Sequence, residues 1–305
     1  MRKFFPIFLI LIICFLFIKT DSNSFNFDVE KNEDLFLDAK TIDLFRPLSK
    51  ESINDLNLES NNFLSVFVND SKEIILSEKK ADEMVPIASL TKLMTAVIVL
   101  DNYNLEDIVN ISASAVNTFG TAGGLKVNEK ISVKDLLYIT LIESSNDGAE
   151  AFAEKIGRNT FIFKMNEKAS QLGMKNTRFI DPSGLDCSEG SNVSTPNDLK
   201  KLVVYILKEY PLISEILSLS EKELTSESGI CHKIENTNIL LKEDDIYLWG
   251  KTGYTLKANG CLVFILKNFS VNSENGYVVN IITGADDRFK EARKLEEWLE
   301  EAFIW

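Results

Sequence analysis

The chain has 305 residues, 45% of them hydrophobic and 26% charged, with a formal net charge of −13. That is enough chain for one large domain or two small ones, and so acidic a balance argues against nucleic acid as the main partner, because phosphate binding needs clustered Lys and Arg. A single histidine, His232, excludes a multi-histidine metal site; with no metal-ligand spacing around it, it reads as structural, and any serine nucleophile must find another base.

The first 20 residues begin with Arg2 and Lys3 and run apolar from Phe4 to Ile18, the pattern of an export signal. The run is short for a bilayer span of about 20 residues, and Ser22-Asn23-Ser24 is a weak cleavage site. Residues 1–24 are therefore read as a signal peptide or an N-terminal membrane anchor, with the remainder outside the cytoplasm. Residues 25–59 read as an acidic spacer whose charges are solvated, and residues 60–305 as the folded domain.

Phe63-Leu64-Ser65-Val66-Phe67-Val68 and Glu73-Ile74-Ile75-Leu76-Ser77 flank the turn signal Asn69-Asp70-Ser71, which predicts a hairpin. The apolar run from Leu93 to Leu100 predicts a helix ended by Asp101-Asn102-Tyr103-Asn104. Residues from about 105 to 240 read as mainly helical. Ser132-Val133-Lys134-Asp135 and Thr195-Pro196-Asn197-Asp198 have the form of capped helix starts. Strand-like segments return at residues 247–253, 261–266 and 277–284, and a charged helix from Arg288 to Phe303 follows. The fold class is α/β (α+β): an antiparallel sheet flanked by helices, with a mainly helical insertion. The four cysteines, Cys14, Cys187, Cys231 and Cys261, fit neither a zinc ribbon nor a redox pair, and leave a Cys187–Cys231 bridge open.

Three short stretches carry chemistry. A serine and a lysine three positions apart occur at Ser77 and Lys80 and again at Ser89 and Lys92. Ser77 lies in a solvated run, whereas Ser89 has an apolar helix behind it that can hold Lys92 rigid and dry. Residues three apart on a helix are neighbours, desolvation lowers a lysine pKa, and a neutral Lys92 can take the proton of Ser89. The bland reading is a helix start with Ser89 as cap and Lys92 solvated. Ser144-Ser145-Asn146 sits at a break between predicted helices, where Ser144 can relay a proton and Asn146 can hold an amide. Lys251-Thr252-Gly253 lies on a predicted strand, where the cations and hydroxyl suit a carboxylate and the glycine admits close backbone approach. An edge strand of this kind can hold a peptide by adding it to the sheet. Each stretch alone is an ordinary cap or strand end.

Together, in this order, they resemble the serine D-alanyl-D-alanine carboxypeptidases, the low-molecular-mass penicillin-binding proteins. The likeness extends through Pro86 to Ala96, Ser144-Ser145-Asn146-Asp147, Leu172 to Phe179, Asp181-Pro182-Ser183-Gly184-Leu185, Asn236-Thr237-Asn238 and Gly250 to Thr255. The resemblance implies a β-lactamase/transpeptidase-like fold and a Ser89 acyl-enzyme, with Lys92 as base and Ser144 and Lys251 passing a proton to the leaving D-alanine. It further implies that Asn146 positions the substrate amide, that Lys251, Thr252 and Arg288 bind the terminal carboxylate, and that the Ser89 and Tyr254 N–H groups form an oxyanion hole beside Gly253. The implied partners are peptidoglycan stem peptides ending in D-Ala-D-Ala and β-lactams as covalent inhibitors; no metal or cofactor is needed. The family's D,D-endopeptidases share this site and lack the extra C-terminal β-domain, which is not expected here because the catalytic domain should end near Trp305. A class A β-lactamase would need a glutamate after the second motif, where Phe179-Ile180-Asp181-Pro182-Ser183-Gly184-Leu185 offers none. A non-catalytic β-lactam sensor is the remaining alternative, and nothing in the intact motifs favours it.

Overall fold

Alternation of side chains builds the centre of the molecule. In the computed structural model, which describes residues 48–49, 55–70, 72–120, 123–271 and 274–305, the strands β1 (Asn62–Val68), β2 (Glu73–Lys79), β3 (Tyr247–Thr255), β4 (Asn259–Val271) and β5 (Glu274–Ala285) form one sheet. Their order is β3-β4-β5-β1-β2, with every neighbouring pair antiparallel. Successive residues of a strand point to opposite faces. On β4, Leu262, Phe264 and Leu266 join one buried cluster, while Val263 and Ile265 join the other. Both faces are thus packed, which is why these strands read as nearly continuous apolar runs.

The helices divide between the two faces. α1 (Thr91–Asn102), α2 (Val133–Ile142), α3 (Asn146–Ile156), α4 (Arg158–Gln171), α5 (Pro196–Glu209) and α6 (Pro211–Ser218) contribute to the larger cluster. α7 (Arg288–Ala302) covers the other face through Ala292, Leu295 and Leu299. Every residue of α1 from Thr91 to Val99 is buried, so the helix runs through the interior instead of lying on it. The expected caps form: Ser132 Oγ accepts the Asp135 N–H, and Thr195 Oγ1 accepts the Asp198 N–H, both at 3.0 Å.

The predicted hairpin, the buried helix, the three later strands and the closing helix are all present. The middle of the chain is less purely helical than expected. It contributes two small ribbons, Ile108–Asn110 with Lys130–Ser132 and Glu221–Thr225 with Cys231–Glu235, and Val193–Ser194 pairs with Val85–Pro86. Glu221–Thr225 and Cys231–Glu235 are rich in Glu and Lys, which have little strand preference of their own, and they pair with each other across a short turn; the other two pairs join segments further apart in the chain. Cys187, Cys231 and Cys261 are free thiols, so the Cys187–Cys231 bridge left open by spacing is not formed.

The end of the segment read as a solvated spacer belongs to the domain edge. Leu58 is buried, the Glu59 and Ser60 N–H groups donate to the Glu291 carboxylate at 2.6 and 3.2 Å, and Leu48–Ser49 pairs with Phe303–Ile304. The expected leader, residues 1–24, and most of the spacer lie outside the described residues. Among the described residues no helix is long and apolar enough to cross a membrane.

Candidate active site

Ser89 lies in a single 3-10 turn, Ala88–Leu90, that runs directly into α1. It caps nothing, which removes the reading in which Ser89 is a helix cap and Lys92 points to water. Lys92, in the first turn of α1, is fully buried, and its Nζ lies 2.9 Å from Ser89 Oγ, 2.7 Å from Asn146 Oδ1 and 2.7 Å from the Ser183 carbonyl oxygen. Burial pushes the amine down to about 7, against the opposing pull of the Asp181 charge. A neutral amine has two N–H bonds and one lone pair. Asn146 Oδ1 and the Ser183 carbonyl can only accept, so they take the two N–H bonds, and the lone pair is left facing the Ser89 hydroxyl. The arrangement therefore suits removal of the serine proton.

Asn146 is reached because α2 ends at Ile142 and α3 begins at Asn146. Between them Ser145 caps α3 by accepting the Gly148 N–H at 3.1 Å, and Ser144 holds a left-handed backbone, φ +63°. That conformation is uncommon for a residue with a Cβ and marks a locally strained position. It aims Ser144 Oγ at Lys251 Nζ, 2.8 Å away. Asn146 Nδ2 in turn donates to the Phe119 carbonyl at 2.7 Å, which fixes which end of the amide faces Lys92.

Lys251 and Thr252 come from β3, at the edge of the sheet. Lys251 is almost wholly buried and also donates to the Thr252 carbonyl at 2.9 Å. Burial, reinforced by the nearby charges of Lys92 and Arg288, holds its amine well below the ordinary lysine value. Thr252 Oγ1 shares a 2.6 Å hydrogen bond with Thr237 Oγ1. Gly253 is where β3 meets the Ser89 turn: a Cβ there would stand 3.1 Å from both the Ile87 carbonyl oxygen and the Ser89 nitrogen. A glycine lets the strand approach this closely without crowding those atoms. Tyr254 follows with its side chain exposed.

Of the residues singled out in the sequence, Ser89, Lys92 and Asn146 are joined by hydrogen bonds, as are Ser144 and Lys251. Arg288, the first residue of α7, is close enough for its charge to act on Lys251, but it makes no hydrogen bond to Lys251 or Thr252; its guanidinium stacks on Phe289 at 4.8 Å, and its buried Nε has no partner among the described residues.

Sequence reasoning passed over the support behind Lys92. Asp181 Oδ1 accepts from the Ser183 N–H and hydroxyl and from the Gly184 N–H, at 2.8, 2.5 and 2.8 Å. Asn192 Oδ1 accepts from the Ile180 and Asp181 N–H groups, and its Nδ2 donates to Thr91 Oγ1 at 2.8 Å. Asp181-Pro182-Ser183-Gly184 was legible as a turn, but nothing local tied its carbonyl to a lysine 91 positions earlier.

The D-alanyl-D-alanine carboxypeptidase family matches this chain over residues 51–280. A D-alanyl-D-alanine endopeptidase from Pseudomonas aeruginosa is 37% identical over 233 residues, 74% of this chain and 73% of its own length. D-alanyl-D-alanine carboxypeptidase DacF from Bacillus subtilis is 30% identical over 236 residues, 75% of this chain and 59% of its own. Among solved structures, penicillin-binding protein D2 from Listeria monocytogenes in its cefotaxime-bound form superposes with a TM-score of 0.68 at 30% identity, covering 82% of this chain and 99% of that one.

The turn behind Lys92 gives a stability prediction. Asp181→Ala removes the acceptor of five hydrogen bonds, from Ser183 (two), Gly184, Leu185 and Arg158, and the carboxylate whose charge acts on the buried amine. Urea unfolding should show a loss of roughly 3 kcal/mol, the scale of a broken buried charge network, and Asp181→Asn, which keeps an acceptor oxygen, should lose less.

Proposed function

The chain belongs to the D-alanyl-D-alanine carboxypeptidase family, and from that premise we propose that Ser89 opens the D-alanyl-D-alanine bond of peptidoglycan stem peptides through a covalent acyl-enzyme. The enzyme is a serine-type D,D-carboxypeptidase of the penicillin-binding class. The observation that carries the Ser89 assignment is the buried Lys92 amine, pushed down to about 7, lying 2.9 Å from the Ser89 hydroxyl.

The steps follow from the contacts. Lys92 removes the hydroxyl proton as Ser89 Oγ attacks the carbonyl carbon between the two D-alanines. The negative charge that develops on the carbonyl oxygen is met by the backbone N–H groups of Ser89 and Tyr254, brought together where Gly253 touches the Ser89 turn. The proton reaches the leaving amine through Lys251 and Ser144, which are already hydrogen bonded. Thr252 and Lys251 receive the terminal carboxylate, with Arg288 supplying further positive charge. Asn146 presents its remaining amide proton to the substrate while its oxygen stays on Lys92. Water then attacks the Ser89 ester and frees the shortened peptide. A β-lactam offers the same carbonyl within a strained ring, and acylates Ser89 by the same first step.

A specific observation supports endopeptidase cleavage as a second activity: the relative from Pseudomonas aeruginosa, named as an endopeptidase, is 37% identical over most of both chains. β3 is an edge strand, so an extended peptide can pair with it on the open side. Both activities use the same acyl-enzyme and differ in what leaves. Work on peptidoglycan sets the enzyme outside the cytoplasm, and residues 1–24 are proposed to export it or to anchor it in the membrane.

Three measurements test this. Labelled penicillin should form a mass adduct on Ser89 that Ser89→Ala abolishes; folded wild-type protein without an adduct overturns the proposal. The acylation rate should rise with pH through about 7, as Lys92 loses its proton, and a profile flat across that range removes Lys92 as base. A stem pentapeptide should lose its terminal D-alanine, and a cross-linked dimer offered in parallel measures the endopeptidase share; cleavage of neither by an acylatable enzyme refutes both activities.

A further inference from the structure

The only histidine of the chain, His232, is buried and has acceptors on both sides. Its Nδ1 lies 3.1 Å from the Gly123 carbonyl oxygen, and its Nε2 lies 2.7 Å from Glu129 Oε1. A carbonyl oxygen can only accept, so Nδ1 carries a proton. If the ring were neutral and Glu129 ionised, the Nε2 lone pair would face a carboxylate lone pair at 2.7 Å. A hydrogen-bonding contact that short needs one further proton between the two atoms, whichever of them formally holds it. The second carboxylate oxygen, Oε2, accepts the Lys126 N–H at 2.9 Å, and Glu129 is itself buried. His232 also lines an open cavity of about 570 Å³ with Lys126, Glu143, Lys233 and Glu235; none of those four side chains is hydrogen bonded to the ring.

This pair ties together two pieces of chain that lead to the catalytic groups. One carries Gly123. Gly123, φ +98°, presses its backbone on the cap of α3: a Cβ there would stand 2.7 Å from Ser145 Oγ. The other piece is the ribbon strand Cys231–Glu235, which continues into Thr237. The Thr237 N–H donates to the Ile142 carbonyl at 3.1 Å, and its hydroxyl is bonded to Thr252.

We propose that His232 and Glu129 share one proton and act as positioning residues for the Ser89 reaction, clamping Gly123 against Ser145, the cap residue next to Asn146. Neither touches substrate. They act through Asn146, whose oxygen holds Lys92 in place. The inference rests on the Ser89 acyl-enzyme reading above.

The geometry supplies its own control. In Glu129→Gln the amide oxygen can take the Lys126 N–H while the amide nitrogen donates to Nε2 of a neutral ring, so every contact survives without the extra proton. Glu129→Ala loses both contacts. In penicillin acylation of the full chain, E129A should slow the acylation rate constant about tenfold or more, with the dissociation constant of the initial complex moved less, and E129Q should stay within about twofold of wild type. Folding of both variants is checked by circular dichroism. A folded E129A acylating at the wild-type rate, or E129Q impaired as severely as E129A, overturns the proposal. Should E129A not fold, nitrogen NMR of the wild-type imidazole decides, unambiguous because the chain has one histidine: Nδ1 must bear a proton, and a bare Nδ1 overturns the clamp. Wild-type protein that forms no adduct on Ser89 would instead remove the enzymatic reading itself.

Discussion

The site depends on an amine placed where water does not reach it. A charged ammonium in such surroundings is strongly disfavoured unless fixed dipoles and charges compensate it. Here the compensation is partial: the Ser183 carbonyl and Asn146 Oδ1 bind the N–H bonds, and the Asp181 charge opposes further loss of basicity. The result is an amine poised near neutrality beside a hydroxyl. Nothing in Lys92 itself does this. It follows from a helix buried on all sides, with Lys92 in its first turn and two acceptors from distant parts of the chain meeting there.

That requirement explains the strained and close-packed features around it. Ser144 in a left-handed conformation and Gly253 against the Ser89 turn are both locally unfavourable or restrictive choices. Each brings a group from one structural layer onto groups of another: Ser144 from the helical layer to Lys251 on the sheet, and Gly253 from the sheet edge to Ser89 at the head of α1. A second amine, Lys251, is held close enough to Lys92 for the Lys92 charge to lower its basicity further. Two neighbouring lysines of low basicity are suited to moving a proton from the nucleophile to a leaving amine. The buried His232–Glu129 pair extends the same logic outward, since it links Gly123, packed on the α3 cap beside Asn146, to the ribbon that leads to Thr252.

Much of this was legible before any coordinates. The strand formers of Phe63-Leu64-Ser65-Val66-Phe67-Val68 and the apolar run after Lys92 revealed a strand and a buried helix, because burial acts on hydrophobic residues one by one. Ser132 and Thr195 announced their helices through side-chain chemistry that is local to four residues. The ribbon strands escaped notice because Glu221–Thr225 and Cys231–Glu235 are half charged, and they pair with each other without an apolar run to announce them. Asn192 and Asp181 escaped because a buried polar side chain looks like a loop residue until the groups it satisfies are known.

The sequence by itself determined the inventory: a serine and lysine at helical spacing, a serine and asparagine at a helix break, a lysine, threonine and glycine on a strand, and the order of elements that carries them. Those are properties of local spacing and composition, set by helix and strand geometry. Tertiary structure alone decided that Lys92 is dry, that its lone pair faces Ser89, that Ser144 meets Lys251, and that Arg288 stands near this pair without bonding to it. Desolvation and hydrogen-bond competition depend on which atoms lie within a few ångströms, and the hydrogen-bonded partners among them come from positions up to 107 residues apart. A linear chain specifies such meetings only through the whole fold.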